Sequence, residues 1–247
     1  MAVLTRPVVL PREALVHVWR LENLGGVHPL LGESEMYVPD SLGPEFTRRC
    51  MRELAGLGLA TADETLTREF RVTLRVLASP ARELYAWSSH AAGPSQNRRF
   101  GAAAAGGQAV LMQVRGDAVG LVTIDESRLV DTFVAELPDV PPASVSPLHV
   151  TRSAYEQRDE NHDMFAAKQS PEKQLEKLMK APRSAAHQVY AAGASGSQHV
   201  RSKPFTVIDI ENRGRVVTFT DARGDIHCLP GTPDQLAQTF HATWRSM

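Results

Sequence analysis

The residues that could do chemistry are few and far apart. The densest group of acids with an imidazole is Arg158-Asp159-Glu160-Asn161-His162-Asp163. On a helix, Asp159 would share a face with His162 or with Asp163, and a carboxylate beside an imidazole suits a divalent transition metal. No second cluster at ligand spacing accompanies it, so a solvated helix end or loop is the simpler expectation. A second candidate is Gly193-Ala194-Ser195-Gly196-Ser197. A nucleophile elbow needs Gly-x-Ser-x-Gly between a strand and a helix. Here Ser197 stands where the last glycine belongs, and strand-like sequence follows. Ser195 therefore reads as part of a flexible loop, which also lacks the Gly-Lys-Ser/Thr of a phosphate loop. The nine histidines are scattered, and none pairs with another at metal-ligand spacing along the chain. Cys50 and Cys228 fall on an apolar helix face and in a strand, the places of small buried hydrophobes. The expectation is a protein with no catalytic residues, no cofactor and no metal, and not an enzyme.

Composition narrows the partners. The 247 residues are 43% hydrophobic and 22% charged, an ordinary globular balance. Lys and Arg number 27 against 28 Asp and Glu, so no global field draws the chain to nucleic acid or an anionic membrane. The basic clusters Arg48-Arg49-Arg52 and Arg98-Arg99 read as solvated faces. No apolar run reaches the roughly 18 residues of a membrane span. The opening Met1-Ala2-Val3-Leu4-Thr5-Arg6 has no basic start and no sustained apolar core, so a secretory signal is not expected and a soluble cytoplasmic protein is.

The elements that must position these residues are written nearly twice. Gln108–Val114, a turn at Arg115-Gly116-Asp117, Ala118–Ile124 and a helix carrying Leu129 and Phe133 form one unit. Arg215–Ala222, a turn at Arg223-Gly224-Asp225, Ile226–Leu229 and a helix carrying Leu236 and Phe240 form another. The offset between the two glycines and that between the two phenylalanines agree to within one residue. Gly-Asp permits positive φ in a tight hairpin, so each unit reads as strand, turn, strand and closing helix. The expected architecture is one domain over 1–247, made of two pseudo-repeats, about 1–144 and 145–247. The four prolines between Pro138 and Pro147 mark the seam.

Helical spacing appears at Leu15, Val18 and Trp19; at Phe46, Cys50, Leu54 and Leu57; and at Leu66, Phe70, Leu74 and Leu77. Tyr85 and Trp87 stand two apart, as on one strand face. Arg98–Ala105 returns as a second strand, although its four alanines also suit a helix. In the second half, Ser153–Lys168 reads as a polar helix, Pro171 opens a better one, and His187–Ala191 and Phe205–Glu211 read as strands. Thr232-Pro233-Asp234-Gln235 is a capping box with proline at the first helical position. The class is α+β: about four antiparallel strands per half, with helices packed on the sheet.

The whole pattern resembles the EspG family, secretion-associated proteins of the ESX (type VII) systems of actinobacteria. The marks are Val8-Val9-Leu10 before a helix with Trp19, then His28-Pro29-Leu30-Leu31, and Gly56-Leu57-Gly58-Leu59 at a helix end. Leu77-Ala78-Ser79-Pro80 before Glu83-Leu84-Tyr85 is another. Leu137-Pro138, Ser144-Val145-Ser146 and the Arg213-Gly214-Arg215 hairpin complete the order. The loop His90–Gln96 is short here, whereas it can be long in the family. The resemblance implies a pseudo-twofold central antiparallel sheet flanked by helical bundles. It also implies a cytosolic chaperone that binds the helical tip of PE–PPE-like pairs, keeps them soluble and guides them to export.

The resemblance further places the client on the second half of the sheet, on the strands carrying Gln188, Tyr190, Phe205, Val207 and Asp209. Strand alternation separates Phe205, Val207 and Asp209 from Thr206, Ile208 and Ile210. The second set is almost wholly apolar and is assigned to the core, and the first to the client. Two other readings stand beside this one. One is a small-molecule enzyme using Asp159 and His162 or Ser195; the other is a regulatory binding protein without a client. A homodimer is left open.

Overall fold

The computed structural model describes residues 2–32, 43–157, 170–196 and 198–247. The short strand β1 (Val8–Pro11) leads directly into helix α1 (Arg12–Leu21), which begins just after Pro11 and buries Leu15, Val18 and Trp19. Helices α2 (Gly43–Gly56) and α3 (Arg68–Ala78) follow; the Thr67 side chain caps α3 by accepting from the Phe70 amide. Four antiparallel strands come next: β2 (Arg82–His90), β3 (Arg98–Ala105), β4 (Gln108–Arg115) and β5 (Ala118–Ile124). Helix α4 (Leu129–Ala135) closes this half.

The second half repeats the plan. It runs β6 (Leu148–Val150), α5 (Arg152–Gln157), α6 (Pro171–Lys180), β7 (Arg183–Ser195), β8 (Gln198–Arg201), β9 (Phe205–Ile210), β10 (Gly214–Thr220), β11 (Ile226–Pro230) and α7 (Pro233–Ser246). At the start of α7 the Thr232 hydroxyl accepts from the Gln235 amide at 3.0 Å, as the capping sequence predicts.

Among the described residues the strands form one sheet, in the order β1-β5-β4-β3-β2-β7-β9-β10-β11-β6, with β8 paired only to β7. The order mirrors itself about the β2–β7 pair. There Tyr85 stands directly opposite Tyr190, and their rings stack at 5.3 Å. Gly116 and Gly224 both turn their hairpins at positive φ. Phe133 and Phe240 are both fully buried and meet edge to face at 5.9 Å.

The expectation of four strands per half falls short. The short apolar strand candidate at Pro7–Leu10 is the edge strand β1, paired with β5, while the other edge, β6, is only three residues long and is fixed by pairing with β11. The ambiguous alanine run is strand β3. Ala102, Ala103 and Ala104 are buried, and tertiary cover outweighs their helical propensity. Within β3, Gly101 lies so close to Tyr85 that a Cβ there would sit 2.9 Å from the tyrosine Cβ. Of the loop expected at Gly193–Gln198, Gly193–Ser195 instead continue β7, and Ser195 pairs with Gln198 of β8.

Helices cover both faces of the sheet. On the front, α1, α2 and α3 bury one cluster over the first half, and Leu175 and Leu178 of α6 bury another against Ile208, Ile210 and Val216. On the back, α4 and α7 lie together over the centre, sealing Leu84, Phe100, Val189, Phe205 and Val207.

Candidate partner-binding face

On the front of the sheet, between the two helical layers, β2, β7 and β9 present an uncovered strip. The register brings Trp87 opposite Gln188, and Gln188 opposite Thr206. Trp87 also stands opposite Arg99 of β3. Direct partners share a face, so these side chains emerge on the same side as Tyr85 and Tyr190. Trp87 packs edge-on to both tyrosines, at 5.5 and 5.6 Å, and the Arg201 guanidinium lies 5.0 Å from the Tyr190 ring centre. Burial pushes the Tyr85 phenol up, and the hydrogen bond from Arg201 partly opposes it. Trp87, Gln188, Thr206, Asn97 and Arg99 are among the walls of a concavity of about 600 Å³. Tyr85 belongs to the first-half core, and Ile208, opposite Ala186, to the second. The strip therefore offers an aromatic floor with a polar and cationic rim. That combination suits docking of another protein better than bond chemistry.

The five residues assigned to the client from sequence divide between the two faces. Gln188 is exposed and Tyr190 half-buried, both on the front. Phe205 and Val207 point to the back and are buried. The Phe205 ring meets Phe219 at 5.7 Å and Phe240 at 5.5 Å. Val207 stands opposite Val217 in the layer sealed by Leu236 and Phe240. The facial assignment on β9 is thus corrected. Alternation separates its residues into two sets correctly, but both sets are covered, one by α7 and the other by α6. Thr206 alone remains half-buried beside the concavity.

Asp209 is fully buried and holds an ion network. It accepts from Arg215 Nε at 2.6 Å, from Arg215 Nη2 at 2.9 Å and from His187 Nε2 at 3.2 Å. His187 Nδ1 meets the Ser88 hydroxyl, and Arg215 Nη2 also donates to the Pro138 carbonyl at 2.7 Å. Burial pushes the Asp209 carboxyl up, but the hydrogen bonds from His187 and Arg215 outweigh it and hold it below the ordinary value. Serine, histidine and aspartate in a row call to mind a hydrolytic triad. In a triad, however, serine bonds Nε2 and aspartate bonds Nδ1, the reverse of what is found here. The carboxylate is also neutralised by an arginine, and Ser88 is only 4% exposed. The network ties β2, β7, β9 and β10 to the segment after α4. Its four side chains come from four strands, so no local sequence pattern announces it.

The remaining candidates carry less. Asp159 and His162 lie outside the described residues. The Ser195 hydroxyl donates to the Met247 carbonyl at 2.8 Å, and Ser195 ends a strand rather than turning into a helix. Two histidines that the sequence keeps far apart meet across the sheet. His149 of β6 and His227 of β11 are direct cross-strand partners with rings stacked at 4.8 Å, a pairing between residues far apart in the chain.

Comparison with known proteins fits this geometry. Among curated proteins none matches the sequence. Among solved structures, the chain is similar to the Mycobacterium tuberculosis type VII secretion system chaperone EspG5, determined in complex with a PE25–PPE41 dimer. The TM-score is 0.66 at 16% identity, over 96% of this chain and 95% of that one. That likeness speaks to the fold: a central antiparallel sheet flanked by helices. The sequence itself matches the model of the EspG family over residues 11–242, nearly its full length, and the chain belongs to that family.

Proposed function

We propose that this chain is a cytosolic chaperone of a type VII (ESX) secretion system, that it binds PE–PPE-like helical pairs, and that it keeps them soluble for export. The observation that carries the reading is membership of the EspG family across residues 11–242. The related chaperone EspG5 has been determined with a PE25–PPE41 dimer bound, which is the partner class transferred here. A helical pair with an apolar tip aggregates unless the tip is covered, and a shallow aromatic groove covers it without chemistry. Of the residues expected to meet the client, Gln188 and Tyr190 are retained, joined by Trp87 and Thr206 on the same face. Phe205, Val207 and Asp209 support that face from behind.

The balanced charge argues against nucleic acid as a partner. No described helix is long and apolar enough to cross a membrane. The mirrored strand order supports reading the chain as one domain of two pseudo-repeats meeting near residue 144.

The test is co-expression with a PE–PPE pair and affinity capture. Gln188→Arg, at an exposed position, should lose the client at an unchanged melting temperature; Trp87→Ala should lose it too, with a lower melting temperature because Trp87 packs on Tyr85 and Tyr190. If both variants capture the client as the parent does, the site lies elsewhere. If the parent captures no PE–PPE pair and runs as a dimer on size exclusion, the client-free regulatory reading replaces this one.

A further inference from the structure

On the back of the second half, the sheet brings together two imidazoles and a carboxylate that the sequence keeps far apart. His149 and His227 face each other across β6 and β11. Asp221, at the end of β10, reaches the same point, and one ligand atom from each of the three lies within 4.8 Å of the others. His227 Nε2 and Asp221 Oδ2 are 3.2 Å apart. A tetrahedral ion with bonds of about 2.0–2.1 Å holds its ligand atoms roughly 3.3 Å apart, so this pair already spans one edge. His149, whose side chain is 54% exposed, needs only a side-chain rotation to close the third position.

The surroundings hold the ligands in place. The other Asp221 oxygen accepts the amides of Arg223 and Asp225 at 2.9 and 3.0 Å, which fixes the carboxylate and leaves Oδ2 facing His227. Asp225 takes the Arg152 amide on one oxygen and lies 3.3 Å from His149 Nε2 on the other, placed as an orienting partner. The His227 ring is stacked on Phe219 at 5.1 Å.

We propose that His149, His227 and Asp221 form a binding site for a first-row divalent transition metal, with zinc the natural occupant. Two imidazoles and one carboxylate select such ions over magnesium or calcium, which take all-oxygen sites. The fourth position is open to water or to a donor from a bound protein. The ion would fasten the three-residue edge strand β6 to the last hairpin, on the half of the sheet opposite the first-half helical layer.

The test uses the untagged full chain stripped with a chelator, then titrated with Co²⁺ by visible absorption and with Zn²⁺ by calorimetry. One equivalent should bind, with the d–d bands of a four- or five-coordinate site. His149→Ala and Asp221→Asn should each weaken binding at least about tenfold, the loss seen on removing even an outer partner of a metal ligand. His162→Ala should leave binding unchanged. Should Asp221→Asn disturb its turn, His149→Ala, a largely exposed position, still decides. Sub-stoichiometric binding, or His149→Ala binding as tightly as the parent, overturns the proposal. So does loss of the site in His162→Ala.

Discussion

Introducing a charge on either face of β9 tests the reasoning about that strand most directly. In Val207→Glu the new carboxylate enters a layer where Val207 is fully buried against Val217, Leu236 and Phe240. Losing the burial of valine costs about 1.5–3 kcal/mol. Desolvating an unpaired carboxylate adds several kcal/mol more, even after relaxation. The sum exceeds about 5 kcal/mol, comparable to the whole stability of an ordinary domain, roughly 5–15 kcal/mol. The variant should be insoluble or unfolded at neutral pH. Thr206→Glu, next in the chain but half-buried beside the front concavity, should cost under about 2 kcal/mol and fold. Urea unfolding followed by far-UV circular dichroism reads both. If Val207→Glu keeps a midpoint equal to that of Thr206→Glu, the back of the sheet is not sealed as described and the facial argument fails.

Three further outcomes are expected. Arg215→Met strands the buried Asp209 carboxylate with His187 alone, so it should cost about 3–5 kcal/mol by urea titration, while Arg215→Met with Asp209→Leu recovers much of that loss. Asp209 is held below its unfolded value of about 3.9. Its stabilisation is therefore present above that value and lost as pH falls through the lower folded one. Urea midpoints compared between pH 7 and pH 3 should fall further in the parent than in Asp209→Asn, and equal falls would refute the assignment. Phe133→Ala and Phe240→Ala should each cost about 3–5 kcal/mol. Because the two rings touch, the double variant should cost less than the sum, measurable as a coupling in a thermodynamic cycle.

Local physics made much of the architecture legible. The Gly-Asp turns at Gly116 and Gly224 require positive φ wherever they occur, and both take it. The Thr232 cap and the apolar stripes of α1 and α3 are set by neighbours within a turn or two, so they could be read directly from the chain. The repeat of strand, turn, strand and helix marks two pseudo-repeats, while the mirrored strand order that joins them comes from the sheet itself. Family resemblance rested on the order of such marks, and the match over residues 11–242 agrees with it.

What tertiary structure alone decided depends on residues distant in sequence. Alternation on β9 defines two sets of side chains, but only the placement of α6 and α7 tells which set is covered, and here both are. The run Ala102–Ala105 has no local reason to be a strand; burial between β2 and β4 supplies it. Asp209, His187, Ser88 and Arg215 are isolated polar letters in four strands until the register joins them. The same holds for His149, Asp221 and His227, and for Trp87 and Gln188. Sequence spacing fixes which residues can share a turn or a strand face. Meeting across a sheet is fixed by strand order and register, which arise from the packing of the whole chain.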